Sequence, residues 1–254
     1  PYIEIKIGST GFILVQPSST VLVYLLGILT IAAGLYCFRI QAQQRSRRWW
    51  GIALILWGLG AILAGTSYQA FSYEIKCAER ELCSWTSWWE IFYLIISSSS
   101  VNAMLIAGAY SCCSGKWRKV MIFAAVIDFL LYLFIVLIGT YTLNKFLISF
   151  ELLLTFSTPI ILLLFILNSW RYFKFRQHMD LALLITWLWL GFTIAAYFLY
   201  WVLDITHDLW ERAIWFSEND VLHIGLIIWM IYIAAFVVKH IVDVPPPRSA
   251  SSSS

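Results

Sequence analysis

The sequence predicts an all-α fold, a bundle of seven transmembrane helices with the N-terminus outside and the C-terminus in the cytoplasm. Three observations carry this prediction: a low charge content, seven long apolar stretches, and an uneven distribution of Lys and Arg. Of the 254 residues, 61% are hydrophobic and 12% are charged, whereas a soluble domain carries about 25% charged residues. Most side chains must therefore face lipid or other side chains.

The seven apolar stretches are each long enough for the roughly 20 residues that a helix needs to cross a bilayer. They cover residues 18–39, 49–72, 88–111, 119–140, 146–168, 180–203 and 218–239. Helices are expected because backbone groups in lipid must hydrogen-bond within their own segment. Ser18, Ser19 and Thr20 are expected to cap the first helix, and Pro159 is expected to kink the fifth.

The basic residues predict the orientation. Most of the 17 Lys and Arg residues lie in the loops after the first, third and fifth stretches and behind the seventh. The positive-inside rule places these segments in the cytoplasm, so the N-terminus lies outside. The expected location is a plasma or inner membrane.

Three regions follow from this orientation: an extracytoplasmic segment 1–17, a transmembrane domain 18–240, and a disordered cytoplasmic tail 241–254 rich in Pro and Ser. Within the first region, apolar and polar residues alternate on both sides of a Gly-containing turn, which favours a β-hairpin. A flexible tail lying on the membrane is the alternative.

Two cysteines support the orientation. Cys77 and Cys83 lie in the loop between the second and third stretches, on the side predicted to face outward. An oxidising compartment permits a disulfide there. A bridge between them is therefore predicted, with two free thiols as the alternative.

Polar residues gather near the predicted outer ends of the helices, and they predict one outward-facing pocket. The candidate ligand-binding residues are Ser67, Tyr68, Gln69, Glu90, Glu151 and Asn219, and the candidate catalytic residues are His223 and Asp220. Asp220 lies three residues before His223, so both share a helix face, and a carboxylate can fix the tautomer of an imidazole. Ionisable residues inside a membrane usually have a function. The alternative is that Asp220 caps its helix and the others are solvated.

Seven spans and a polar start to the last helix, ending in His223, resemble the alkaline ceramidase and adiponectin-receptor superfamily of membrane hydrolases. The resemblance implies a zinc ion held by a histidine of helix two and a His-x-x-x-His pair of helix seven, with Ser and Asp assisting. His223 matches the second histidine of the pair and Ser67 matches the serine. Asn219 and Phe71 stand where the other two histidines are expected, and Asp128 lies in the fourth stretch instead of the third.

Two functions are therefore expected as alternatives. The first is a non-catalytic ligand-binding, sensing or scaffold subunit whose partners are membrane lipids and other membrane subunits. The second is a divergent hydrolase that acts on a lipid amide or ester with zinc as cofactor, His223 as base or metal ligand, and Asp220 orienting it. Nucleic acid is not an expected partner, because the basic residues occupy short loops and form no patch with interleaved aromatics.

Overall fold

The seven-helix architecture is confirmed by a computed structural model, which describes residues 2–7, 10–78 and 80–245. Seven helices within that part of the chain are long and apolar enough to cross a membrane: α1 Pro17–Arg39, α2 Arg45–Ala70, α3 Trp88–Cys112, α4 Gly115–Thr142, α5 Phe150–Phe175, α6 His178–Val202 and α7 Glu218–His240. The chain is thus a polytopic integral membrane protein. We call the end predicted to face outward the outer end, and the opposite end the inner end.

Six of these helices form a closed ring. The helices α1, α2, α3, α5, α6 and α7 pack side by side in that order, and α7 returns to contact α1. The remaining helix, α4, lies outside the ring, where its main neighbours are α3 and the single turn Phe146–Ile148. Apolar residues cover most of its surface, as expected for a helix that faces lipid.

Glycine pairs set the close approach of α1 and α2. Gly27 lies against Gly58, and Gly34 lies against Gly51, so the two antiparallel helices meet at points seven residues apart. A Cβ atom on Gly58 would lie 2.6 Å from the carbonyl oxygen of Gly27, and one on Gly34 would lie 2.8 Å from that of Gly51. Small residues let membrane helices pack at this separation.

The helix ends differ in detail from the predicted ones. The first helix begins at Pro17, and Gln16 before it adopts a left-handed conformation with φ 47°. Ser18, Ser19 and Thr20 therefore lie inside the helix instead of capping it. The fifth helix is continuous through Pro159, and the kink expected there stays a prediction. Near the outer end, α2 changes to a π-helix over Gly65–Ala70, and α7 does so near the inner end over Ile233–Val237. Segments of π-helix are rare in proteins, and those that occur are often found at functional sites.

The outer end carries the predicted β-hairpin. Strands β1 Tyr2–Ile7 and β2 Thr10–Val15 pair antiparallel. The hairpin docks through Phe12, whose ring lies 5.6 Å from that of Phe71, and through the backbone N–H of Ile13, which donates to the Glu74 carboxylate at 3.1 Å. The disulfide between Cys77 and Cys83 is confirmed, with an S–S distance of 2.08 Å.

At the inner end, the prediction of a disordered tail is wrong for residues 241–245, because they are fastened to the bundle. The Asp243 carboxylate accepts from the backbone N–H groups of Arg45 and Ser46 at 2.9 and 2.8 Å, and so caps α2. The Arg118 guanidinium donates to the carbonyl of Val244. The rest of the predicted tail, 246–254, lies outside the described residues.

Candidate functional site

A cavity of about 170 Å³ lies inside the ring. All six ring helices line it and α4 does not, and one residue from each helix defines it: Leu26, Trp57, Val101, Leu153, Leu190 and Leu226. The lining is almost entirely aliphatic or aromatic. Because the walls come from six helices that close on one another, this space belongs to the fold itself and is not a surface groove.

His223 is the one ionisable histidine in the lining of this cavity. It lies just over one turn into α7, is 6% exposed, and its Nδ1 atom has no hydrogen-bond partner in the part of the chain that the structure describes. The other polar groups of the lining are the side chains of Tyr93, Ser97 and Ser157 and the indole N–H of Trp57. A buried polar atom without a partner costs free energy, which makes the imidazole the most favourable point for a ligand to bond.

Asp220 does not orient His223, although the sequence predicted that it would. Its carboxylate accepts from the hydroxyls of Ser18 and Ser19 at 3.1 and 2.8 Å, and from the backbone N–H of Ser217 at 2.7 Å. Asp220 and Ser217 form a capping box at the start of α7. Because α1 and α7 both begin at this end, the negative charge also lies beside the positive dipole ends of two helices. The residue therefore joins α1 to α7.

Ser67 and Glu90 belong to a second polar cluster, beside the cavity. The Ser67 hydroxyl donates to the Glu90 carboxylate at 2.8 Å and lies 2.8 Å from the Ser87 hydroxyl. Lys76 forms a salt bridge with Glu90 at 2.6 Å, and the Glu90 side chain is 4% exposed. The buried carboxylate is thus paired with a charge and hydrogen-bonded, as its burial requires. The cluster ties α2 and its outer loop to α3.

Tyr68 and Gln69, in the π segment of α2, lie next to this cluster. The Tyr68 ring packs edge-on against Tyr93 at 6.0 Å, and the Lys76 ammonium lies 5.1 Å from the Tyr68 ring centre. Since Tyr93 lines the cavity and Tyr68 is 39% exposed, the pair lies between the cavity and the outer surface. Gln69 is buried, and its Oε1 atom has no partner among the described residues.

Glu151 and Asn219 take different places from those predicted. Because α5 begins at Phe150 and not at residue 146 as predicted, Glu151 lies in its first turn. The residue is exposed and does not line the cavity. Asn219 lies one turn before His223 on the same helix face, and its amide reaches the Gln16 side chain at 3.5 Å. The single polar pocket of the sequence prediction is therefore replaced by an apolar cavity with polar clusters around its outer end.

The side chains around His223 do not fit the zinc ion that the resemblance to membrane hydrolases implies. A catalytic zinc needs about three protein ligands. Across residues 2–7, 10–78 and 80–245, no three His, Cys, Asp or Glu side chains lie together in a way that could hold a metal ion. Asp220 is engaged by serine hydroxyls, and Asn219 and Phe71 offer no imidazole.

Sequence reasoning missed a buried ion pair at the inner end. Arg171 of α5 is 7% exposed, and its guanidinium donates to Asp180 of α6 at 2.9 Å and to the carbonyl of Cys112 at 3.1 Å. Beside this pair, the Asn168 side chain accepts from the indole N–H of Trp187 at 2.9 Å. A signal was present, since Arg171 and Asp180 flank a short loop. The positive-inside rule already accounted for the arginine, so its burial was not expected.

Asp128, near the middle of α4, has its partner in α3. The Asn102 amide donates to the Asp128 carboxylate at 2.9 Å. This hydrogen bond links the outlying α4 to the ring.

Comparison with known proteins gives a family but no function. No curated protein and no solved structure matches the chain. One family model matches residues 19–241, which include all of α7 and nearly all of α1. The chain therefore belongs to the family of unknown function DUF6962.

Proposed function

We propose that the chain is a non-catalytic lipid-binding membrane protein, which holds the apolar part of a hydroxyl-bearing amphiphile in the cavity inside its helix ring. The observation that supports this most is the cavity itself, with an apolar lining and one buried imidazole whose Nδ1 is unpaired. Ligand pockets are mostly apolar with few convergent polar groups. This arrangement has that composition.

The size of the cavity favours a short apolar segment. Engineered apolar cavities of about 150 Å³ stay dry and bind benzene, and this cavity is of about 170 Å³. It is therefore large enough for part of an acyl chain or a ring. Aliphatic walls such as Leu26, Leu190 and Leu226 give such a group dispersion contacts that water cannot replace.

His223 favours a hydroxyl on the ligand. A neutral imidazole nitrogen either donates or accepts, depending on its tautomer, and a hydroxyl does both. A ligand hydroxyl can therefore bond a ring nitrogen of His223 in either tautomer. A charged head group is disfavoured at this depth, since no opposite charge among the described residues lines the cavity to compensate it.

Phe150 marks a route of entry. This residue begins α5, lines the cavity and is 37% exposed, so one side chain separates the cavity from the exterior there.

Tyr68 and Tyr93 lie between the cavity and the outer surface. Rings of this kind suit the boundary between an apolar interior and polar surroundings.

The resemblance to membrane hydrolases stays a prediction, and the geometry favours binding over hydrolysis. A nucleophile and its base need to lie within hydrogen-bond reach. Ser67 bonds to Glu90 and Ser87, whereas His223 lines a cavity that Ser67 does not.

Lipid extraction and mass spectrometry test the proposal. The protein is purified in mild detergent, and bound lipids are quantified against protein. We expect close to one hydroxyl-bearing amphiphile per chain, and its loss in Ala61→Phe, which fills the cavity. The control is Leu59→Phe, whose site is 40% exposed on the same helix; it should retain the lipid. Equal lipid content in both variants would contradict the proposal.

A further inference from the structure

The edge of strand β1 that faces away from β2 is unpaired within the part of the chain that the structure describes. In an antiparallel pair, each residue directs both its N–H and its C=O either toward its partner strand or away from it, in alternation. The N–H of Ile13 points away from β1, since it donates to Glu74. Ile13 pairs with Glu4 in the register, so the backbone groups of Glu4 also point away from β2.

The same alternation places the backbone groups of Tyr2, Glu4 and Lys6 on the free edge of the hairpin. Within the described residues, the structure gives these backbone groups no hydrogen-bond partner, and no element other than β2 packs closely against β1. The strand is also exposed, with Tyr2 at 68% and Ile3 at 38%. An open edge of this kind is a template for pairing with another strand.

The sequence of β1, Tyr2-Ile3-Glu4-Ile5-Lys6-Ile7, is complementary to itself. When two copies pair antiparallel around Ile5, Glu4 of one copy lies directly opposite Lys6 of the other, and the reverse pair forms as well. On the opposite face, Ile5 of one copy meets Ile5 of the other. Opposite charges and β-branched residues at facing positions both stabilise a sheet.

The hydrogen bonds fit the same register. Because Glu4 and Lys6 direct their N–H and C=O groups outward, each facing Glu4–Lys6 pair exchanges two backbone hydrogen bonds. In the single chain, the Lys6 ammonium lies 3.6 Å from Glu4, and both side chains are largely exposed, at 72% and 58%. Both charges are therefore free to turn toward a second copy.

We propose that the chain forms a two-fold symmetric dimer at its outer surface, in which the β1 strands of two copies join their hairpins into one four-stranded sheet. A second copy fits this edge better than an unrelated strand, since the register that pairs the charges is also the one that pairs the free backbone groups. The proposal is independent of the ligand in the cavity.

Cysteine crosslinking of the full chain in membranes tests the dimer. Facing Ile5 residues form a non-hydrogen-bonded pair, whose Cα atoms lie about 4.5 Å apart, and this distance suits a disulfide. We expect Ile5→Cys to give a covalent dimer after mild oxidation, on a non-reducing gel. The matched control, Ile3→Cys, should give none, because the two Ile3 residues lie four positions apart along the paired strands.

Charge reversal in the Ile5→Cys background separates this register from random collision. Lys6→Glu places like charges opposite each other at both pairs, and we expect about a tenfold fall in the crosslinking rate. The double variant Glu4→Lys/Lys6→Glu restores both pairs and should restore crosslinking. Equal crosslinking of Ile3→Cys and Ile5→Cys, no crosslinking of Ile5→Cys, or no recovery in the double variant would overturn the proposal.

Discussion

Replacing Gly58 by alanine tests the close packing of α1 and α2. The added Cβ would lie 2.6 Å from the carbonyl oxygen of Gly27, 2.7 Å from Cγ1 of Ile31 and 3.0 Å from its backbone nitrogen. Carbon–oxygen contacts normally begin at about 3.3 Å, so the helices must separate by about 0.7 Å. Two of the three atoms are backbone, and a rotamer change cannot remove the clash.

The magnitude follows from two opposing effects. Overpacking of this kind costs about 1–3 kcal/mol, and the better helix propensity of alanine returns up to about 1 kcal/mol. With an overpacking cost near the middle of that range, we expect Gly58→Ala to lower the free energy of unfolding by about 1–2 kcal/mol. The measurement is reversible unfolding by SDS in mixed micelles, followed by tryptophan fluorescence.

Gly191 supplies the matched control. A Cβ there would meet nothing within 4 Å, so Gly191→Ala should leave stability unchanged or raise it by up to about 1 kcal/mol. If the two variants behave alike, the glycines do not set the helix separation, and the reasoning is refuted.

Three further predictions concern single side chains. Asp220→Ala removes the acceptor that joins α1 to α7 and leaves buried hydroxyls unpaired, so the free energy of unfolding in SDS should fall by about 3 kcal/mol. A fall below about 0.5 kcal/mol would show that Asp220 does not join the two helices. Cys77→Ser opens a short loop and should cost at most about 2 kcal/mol, and reducing agent should destabilise the wild type by the same amount but leave the variant unchanged. Burial raises the pKa of the Cys113 thiol. Because the thiolate is the reactive form, alkylation of Cys113 should accelerate only at a higher pH than alkylation of a cysteine introduced at the exposed position of Lys116. Coinciding pH profiles for the two cysteines would contradict this prediction.

The transmembrane architecture was predictable because lipid imposes one strong rule. Backbone groups must bond within each segment, so stretches such as 88–111 could form only helices, and the helix Trp88–Cys112 differs from that prediction by a single residue. Loop charge predicts the orientation by an equally simple rule, and the orientation stays a prediction. The disulfide between Cys77 and Cys83 could be predicted because both cysteines lie in one short loop that is expected to face outward.

The candidate site was only partly predictable, since it depends on which helices become neighbours. The sequence placed Asp220 and His223 on one face, but it did not show that α1 would bring Ser18 and Ser19 to the carboxylate. The cavity was invisible because apolar residues such as Leu26 and Leu190 resemble any other lipid-facing residues. Glu151 was misplaced because the apolar stretch included residues that lie before its helix begins.

The most direct measurement of the proposed function is photo-crosslinking in native membranes with a diazirine-bearing acyl lipid, followed by peptide mapping. Bulk lipid reaches outward residues such as Leu59 and Phe134, which are 40% and 62% exposed. It does not reach the cavity residues Leu26, Val101 and Leu190, which are at most 6% exposed. We predict label on these cavity residues, and its loss in Ala61→Phe. Label confined to outward residues in both proteins would contradict a lipid site inside the ring.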